Sequence, residues 1–583
     1  MSDVDKGDII VLLNKIGKLL EIKGESPFKS RAYFNAAALL ETLSEDMGTL
    51  IEEDRLKDLK GIGNALNKKI TEFYRTGRLE YYESLKKEYP ESLLEVLNVP
   101  GVGPKKVGTL YKQFGIKTVG ELEYACIENR LTELPGFGEK TQKKILDGIK
   151  QYKKYQGRYL YSDAYGQAEM IIDHLNTLGC IDKLEIAGSL RRKKETIGDA
   201  DILASSDKPN EVMDAFTTGK YVRDIIEKGD TKSSIYTGLG IQVDLRVIKP
   251  EEYPYALQHF TGSKEHNVAL RHRVKRMGLK MNEYGLFKAD GTNVPVLGEA
   301  GLYRAIGLEY IPPEMREDMG EIEAAADNNL PKLVTDRDIK GIIHVHTNYS
   351  DGKCSVEEMA YRARDLGYSY ICITDHSQSA FYAGGLKPDE VLRQWEEIDK
   401  LNNKDFGIRI FKGIESDILP DGSLDYPEEI LKGFDIVIGS VHSNFGMTEK
   451  DMTARVVKAV NNKYLTILGH PTGRLLLSRE GYSIDMQEVM EQVAKNKKII
   501  EINASPYRLD MDWRLLKKGK EMGILFSICP DAHNLEGLED MKYGVGIARK
   551  GWLEKDNLLN CIDADSILKN VRESDEHIMK LHE

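Results

Sequence analysis

Cysteine is scarce and scattered. The 583 residues include six (Cys126, Cys180, Cys354, Cys372, Cys529 and Cys561), none in a Cys-x-x-Cys pair. That spacing argues against a disulfide framework or a thiolate zinc site and fits a reduced, cytoplasmic compartment. Long apolar runs are also missing, since none approaches the ~20 residues needed to cross a bilayer. The N-terminus, MSDVDKGDII, lacks a basic segment followed by an apolar one, so neither a signal peptide nor a membrane partner is expected. Positive charge is short overall, the net being −12. As a whole-chain sum this argues against nucleic acid, but such a sum hides local fields. Residues 101–155 carry 11 Lys/Arg against 6 Asp/Glu, and residues 261–280 carry 6 against one acid, Glu265. Two basic segments in an acidic protein suggest phosphate-facing surfaces, although a solvated helix face is the commoner meaning of any single charge run.

A hydrophobic fraction of 41% and a charged fraction of 30% describe an ordinary globular chain. Its length exceeds what one core supports, so three or four domains are expected. Residues 1 to about 150 read as helices, with apolar positions at three- and four-residue spacing, as in Ile9, Leu12, Leu13, Ile16, Leu19 and Leu20. Strands mixed with helices follow to about residue 320. The acidic stretch Glu314–Asn329 reads as a helical or flexible connector, and from Ile339 short apolar strands alternate with amphipathic helices, the mark of parallel βα units.

Three Gly-x-Gly turns interrupt the helical part: Lys60-Gly61-Ile62-Gly63, Pro100-Gly101-Val102-Gly103 and Pro135-Gly136-Phe137-Gly138. Each follows an apolar helix end (Leu134 in the third) and leads into a lysine-bearing helix, with Lys69, Lys105 and Lys140 among the basic residues. Glycines there permit a tight turn whose N–H groups, beside a helix N-terminus, can hold a phosphate. One such turn is weak, because glycine commonly ends helices. Three with the same flanks form a helix-hairpin-helix pattern, which grips DNA backbone without reading sequence.

The most informative stretch runs from Gly188-Ser189-Leu190-Arg191-Arg192 to Gly198-Asp199-Ala200-Asp201-Ile202. Asp199 and Asp201 are two apart in a strand-like run, so both carboxylates leave one face while Ala200 and Ile202 face the core. Asp244, in Ile241-Gln242-Val243-Asp244-Leu245, lies on the polar face of another strand. Three such carboxylates suit a pair of Mg²⁺ or Mn²⁺ ions shared with a triphosphate, and would repel one another severely without them. Gly188-Ser189 offers a backbone cradle and a hydroxyl for phosphate, and Arg192 a charged donor.

On these motifs the chain resembles the X family of DNA polymerases, over about residues 5–312. Gly188-Ser189, Arg192 and Gly198-Asp199-x-Asp201 match that family's nucleotide and metal motif, and Asp244 its third metal carboxylate. Phe260-Thr261-Gly262-Ser263 matches the turn that holds the incoming sugar. The resemblance further implies that Asn267 and Arg271 contact the nascent pair and template, and that Arg158 contacts the triphosphate. His259 stands where tyrosine is frequent and Gln242 where vertebrate relatives have arginine, so sugar discrimination and control of the primer end do not carry over. Family members often remove 5′-deoxyribose phosphate through a Schiff-base lysine. That position is Lys69 here, with Lys29 and Tyr33 on the phosphate side, although Lys69 as a plain phosphate ligand fits equally well.

Downstream, His344 and His346 end one strand, with Asp351 in the following loop. Further strands end in Asp375-His376, Glu415, His442, His470, and Asp531 with His533. Strand C-termini are where a βα barrel gathers its active site. Singly, each histidine would be a packed or surface residue, but six of the chain's 12 share this placement. Mixed N and O ligands without cysteine suit two or three Zn²⁺, Mn²⁺ or Fe ions acting on a phosphoester. This part resembles the PHP (polymerase and histidinol phosphatase) domain. All nine ligands that the resemblance implies are present: His344, His346, Asp351, His376, Glu415, His442, His470, Asp531 and His533.

The implied architecture is multidomain. It comprises an all-α helix-hairpin-helix region (lyase-like over 1–80, a DNA-binding subdomain over 81–155), an α+β nucleotidyltransferase palm over 156–255 and a thumb over 256–320. A linker over 321–337 and a distorted (βα)7-type PHP barrel over 338–575 complete it. The expected activity is gap-filling DNA synthesis on gapped or nicked duplex with dNTPs, by a monomer acting in repair. A 3′-5′ exonuclease accompanies it, with abasic-site endonuclease and lyase actions as further possibilities. Two alternatives stay open: a PHP phosphoesterase delivered to DNA by a silent polymerase half, and a DNA-end scaffold with both sites silent.

Overall fold

The structure is a computed structural model. It describes residues 4–569 except 42, 44, 46, 54, 60, 128–130, 132–135, 156, 405–406 and 478. Lys60, Leu134 and Pro135, which flank two of the expected turns, therefore lie outside the described residues. The chain divides into two compact units, Met1–Gln156 and Gly157–Glu583.

The first unit is helical. α1 (Lys6–Lys23) starts on an Asp5 capping box and ends on Gly24 in the left-handed conformation. Its residues Ile9, Leu13, Ile16 and Leu20 share a core with Val96, Val107, Leu110 and Ile145 from later helices. α2 (Asn64–Thr76), α3 (Pro104–Phe114) and α4 (Glu139–Tyr155) are the lysine-bearing helices that follow the three glycine turns.

The second unit holds two sheets that matter for function. The five-stranded palm sheet contains β1 (Lys183–Ile186), β2 (Asp199–Ser205), β3 (Val222–Lys228), β4 (Lys232–Thr237) and β5 (Gln242–Ile248), in the order β1-β2-β5-β4-β3. β2 and β5 run parallel at its centre. Burial alternates along β5 and over the first four residues of β2: Ala200, Ile202, Val243 and Leu245 are buried in one core with Ala168 and Ile171 of a covering helix. The intervening carboxylates point the other way, as a period of two demands. α5 (Tyr253–Thr261) and α6 (Lys264–Arg276) follow.

The remaining sheet is parallel and seven-stranded, in chain order: β6 (Gly341–Val345), β7 (Tyr370–Ile373), β8 (Arg409–Asp417), β9 (Ile436–Ser440), β10 (Ile467–Leu468), β11 (Ile499–Asn503) and β12 (Leu525–Cys529). Helices cover it, so its strands read as continuous apolar runs. Ile371 and Val437 face one core and Tyr370, Cys372, Ile436 and Ile438 another. A parallel bridge from Val345 to Ala532 brings the first strand to the end of the last, so the barrel is nearly closed.

The acidic stretch between palm and barrel is anchored. Glu314, Arg316 and Glu321 are buried. Arg316 Nη1 meets Glu299 Oε1 at 2.5 Å, His266 Nδ1 meets Glu321 Oε1 at 2.6 Å, and Arg549 Nε meets Glu314 Oε1 at 2.8 Å. Glu314 and Glu321 thus serve buried ion pairs, while Asp318, Glu323 and Asp327 are exposed.

Candidate active sites

In the palm, register does what spacing anticipated. Asp201 on β2 stands directly opposite Asp244 on the parallel neighbour β5, and Asp199 opposite Gln242. Burial first, and then the negative charges of Asp199 and Asp244, push the Asp201 carboxyl up to about 7. Asp244 is held by Gln242 Nε2, which donates to its Oδ1 at 2.9 Å, and faces Lys232 at 3.8 Å. Neither partner was anticipated. Gly188 has φ +60°, and a Cβ there would lie 2.0 Å from Asp201 Oδ2, so backbone and carboxylate approach as only glycine allows.

Gly188, Ser189, Arg192, Asp199, Asp201, Phe260, Gly262, Asn267 and Arg271 line one cavity of about 490 Å³, together with His259 and Lys264. Lys264, at the start of α6, is a cation that the motif reading missed. Asn267 is engaged from both sides: its Nδ2 donates to the His259 carbonyl at 2.7 Å and its Oδ1 accepts from Gln258 at 2.7 Å. Arg192 donates to the Thr261 carbonyl, next to Gly262, and its Nε to Glu317 Oε1 at 3.0 Å. Gly198 directly precedes Asp199 at the start of β2. Arg158 does not line this cavity. Its guanidinium is bound to Thr196, with Nη2 2.6 Å from the carbonyl and Nε 3.0 Å from Oγ1.

The barrel gathers all nine ligand candidates around three carboxylates. Glu415 Oε1 lies 3.3 Å from His344 Nε2, 3.2 Å from His442 Nε2 and 2.9 Å from His470 Nε2, while Oε2 lies 2.9 Å from His376 Nδ1. Asp531 Oδ1 lies 3.2 Å from His346 Nε2 and 3.5 Å from His344 Nε2. Asp351 faces His533 at 3.4 Å and His376 at 3.6 Å. Buried polar atoms normally find hydrogen-bond partners. Among the described residues, His344 Nε2, both ring nitrogens of His346 and Glu415 Oε2 are buried without one. A set of converging N and O donors with orphaned lone pairs fits two or three borderline divalent ions. Burial opposes charge on His442, yet Glu415 and Asp417 push it up to about 10, whereas burial and the neighbouring His376 hold His346 down to about 4. Such opposed shifts within one cluster are typical of functional sites.

Sequence reasoning missed the residues that orient these ligands. Glu501 on β11 accepts from His344 Nδ1 at 2.6 Å, which turns the other ring nitrogen toward Glu415 and Asp531. Asp417, two residues beyond Glu415, does the same for His442 at 2.6 Å. Asp375 instead folds the loop that carries Asp351, accepting from Thr347 N at 2.7 Å and Ser350 Oγ at 2.5 Å. Arg508 places a guanidinium 3.6 Å from Asp531.

In the first unit the three turns have one geometry. Gly61, Gly101 and Gly136 have φ of 113°, 86° and 86°, while Gly63 and Gly103 cap α2 and α3 and Gly138 precedes α4. Side chains added at any of these glycines would meet nothing within 4 Å, so the turns present open backbone. Lys105 and Lys140 are exposed beside them. Lys69 is half-buried. Its ammonium touches the Tyr33 hydroxyl and sits 3.5 Å over the Tyr81 ring, and burial followed by the charge of Lys29 lowers its pKa.

Comparison with known proteins agrees with this geometry. Residues 256–317 match the family described as DNA polymerase beta thumb, and residues 343–505 the PHP domain. Residues 5–79 match a helix-hairpin-helix domain and residues 93–151 a SAM-like helix-hairpin-helix tandem. The chain is 40% identical to the DNA polymerase/3′-5′ exonuclease PolX of Bacillus subtilis (strain 168), over 97% of this chain and 99% of that one. It is also 30% identical to a probable phosphatase of Thermoanaerobacter sp. (strain X514), over 40% of this chain and 95% of the relative. These matches describe the class as DNA polymerases that carry a PHP domain. With identity of that level along nearly the full length of both chains, this chain belongs to the PolX family. No helix among the described residues is long and apolar enough to cross a membrane.

Proposed function

We propose that this protein is a template-directed, gap-filling DNA polymerase of DNA repair that also trims 3′ ends through its PHP barrel. The observation that carries the reading is the facing pair Asp201 and Asp244 on adjacent parallel strands, with Asp199 two residues away on the same face. Mg²⁺ or Mn²⁺ fits these hard oxygen donors; when bound, such ions supply charge stabilisation for an in-line phosphoryl displacement. The chain's own residues do the positioning. Ser189, Arg192 and Lys264 take the triphosphate oxygens, Phe260 and Gly262 bound the sugar, and Asn267 and Arg271 lie toward the nascent pair. The turns at Gly61, Gly101 and Gly136, with Lys105 and Lys140, take the duplex backbone beside a gap.

At the second site the nine donors hold two or three Zn²⁺, Mn²⁺ or Fe ions, and Arg508 meets the phosphate of the terminal nucleotide. Lys69 takes a 5′-phosphate or, with its lowered pKa, forms an imine with a deoxyribose aldehyde. A monomeric, cytoplasmic enzyme is part of this reading. The test is an Asp199→Ala, Asp201→Ala double variant assayed on a primed gap. Extension is expected to vanish while 3′ trimming persists. Extension that survives would refute the polymerase assignment, and loss of trimming as well would refute two independent sites.

A further inference from the structure

Lys550 is a fully buried lysine outside the metal cluster. It ends α7 (Met541–Lys550), a helix on the outside of the barrel. Its ammonium is 2.6 Å from Glu317 Oε1 and donates to the Arg192 carbonyl at 3.0 Å and the Glu314 carbonyl at 3.5 Å, while resting 4.4 Å from the centre of the Trp513 ring. All three hydrogen-bond partners lie outside the barrel, and one belongs to the nucleotide cavity. Glu317 in turn accepts from Arg192 Nε at 3.0 Å and faces Lys194 at 3.6 Å. Arg192 then reaches the Thr261 carbonyl, and a Cβ on Gly262 would come within 3.0 Å of the same guanidinium. A continuous path of charge-assisted contacts thus runs from the barrel helix through Glu317 and Arg192 to the Gly262 turn.

Burying an ammonium is costly and leaves its partners uncompensated when it is removed. A plain interface ion pair would need no link to the nucleotide cavity, and the neighbouring residue shows what one looks like. Arg549 meets Glu314 at 2.8 Å and the Val334 carbonyl at 2.8 Å, and neither of these partners lines the cavity. We infer that Lys550 is a positioning residue of the nucleotide site: by balancing Glu317 and fixing the Arg192 carbonyl, it sets where the Arg192 guanidinium meets a triphosphate. The PHP barrel then contributes to polymerisation without lending it a ligand. This rests on the reading of Arg192 as a triphosphate contact.

The experiment uses the full chain in steady-state single-nucleotide insertion on a gapped duplex. Arg192→Gln comes first and should raise the dNTP KM; if it does not, the underlying reading of Arg192 fails. Lys550→Met should raise the dNTP KM roughly tenfold with kcat within about twofold, because Glu317, left without Lys550, no longer holds the Arg192 guanidinium in place. It should leave 3′ trimming unchanged. Glu317→Gln combined with Lys550→Met should fall short of the product of the two single effects, since both residues position the same Arg192. Arg549→Met serves as the structural control and should lower thermal stability while leaving KM alone. An unchanged KM in Lys550→Met beside a raised one in Arg192→Gln would overturn the inference, as would effects of Lys550 and Glu317 that multiply. Should Lys550→Met not fold, Glu317→Gln by itself must raise the dNTP KM, and an unchanged value there overturns the inference too.

Discussion

Replacing Glu501 by glutamine removes one charge from the barrel while keeping its shape. In the structure Glu501 is fully buried and accepts three hydrogen bonds: from His344 Nδ1 at 2.6 Å, the His470 backbone N–H at 3.2 Å and Asn503 Nδ2 at 2.8 Å. It thereby fixes one ligand candidate by its ring and a second by its backbone. A hydrogen bond to a charged acceptor contributes about 1.5–3 kcal/mol. At about 1.4 kcal/mol per decade, losing that from the ligand's orientation amounts to one to two powers of ten. Outer partners of metal-bound histidines carry effects of roughly 10–100-fold on affinity or activity. Glu501→Gln should therefore lower 3′ trimming of a mismatched primer by roughly 10–100-fold at limiting Mn²⁺, with partial recovery in excess metal, while primer extension stays within about twofold. The assay is paired trimming and extension on one duplex, with bound metal measured by mass spectrometry. Full trimming and full occupancy at limiting metal would refute the reasoning.

Gly188→Ala should reduce primer extension by roughly 100-fold or more, because the new methyl displaces Asp201 and a positive φ strains any other residue; near-normal extension would contradict the close approach. Asp201 gives a pH prediction whose sign follows from its raised pKa. The folded state holds this proton up to about 7 against an ordinary 3.8, so its contribution to stability is full below about 4 and falls as pH rises through 7. Without divalent ions, Asp201→Asn should melt about 2–4 °C higher than the parent near pH 8 and equally near pH 4, with added Mg²⁺ closing the gap. Identical melting at both pH values would refute it.

Much of this was legible because periodicity and strand ends are local signals. A spacing of two puts Asp199 and Asp201 on one face whatever the rest of the fold does; β5 follows it residue by residue, and β2 does so over Asp199–Ile202 before its end is buried on both faces. The glycine turns and the acidic or imidazole side chains at strand ends are equally local. Glu501 carries no such mark, because it matters through His344, 157 residues away. Asp417 was within reach, since it repeats the two-residue spacing after Glu415 on one strand. The stretch from Glu314 to Asn329 reads as a helical or flexible connector until Arg549, Glu299 and His266 are seen to pair with its Glu314, Arg316 and Glu321. Arg158 enters only through the resemblance, and in the structure, where Tyr159 and Leu160 pair with Ile197 and Thr196, its guanidinium is bound to Thr196.

Mn²⁺ is visible by its anomalous scattering, and crystals grown with a non-hydrolysable dNTP on gapped DNA would locate it. Two ions about 3.5–4 Å apart are expected between Asp199, Asp201 and the triphosphate, with Asp244 released from Gln242 to complete one shell. A single ion, or an Asp244 carboxylate still bound to Gln242 and Lys232 with no metal beside it, would contradict the proposed chemistry.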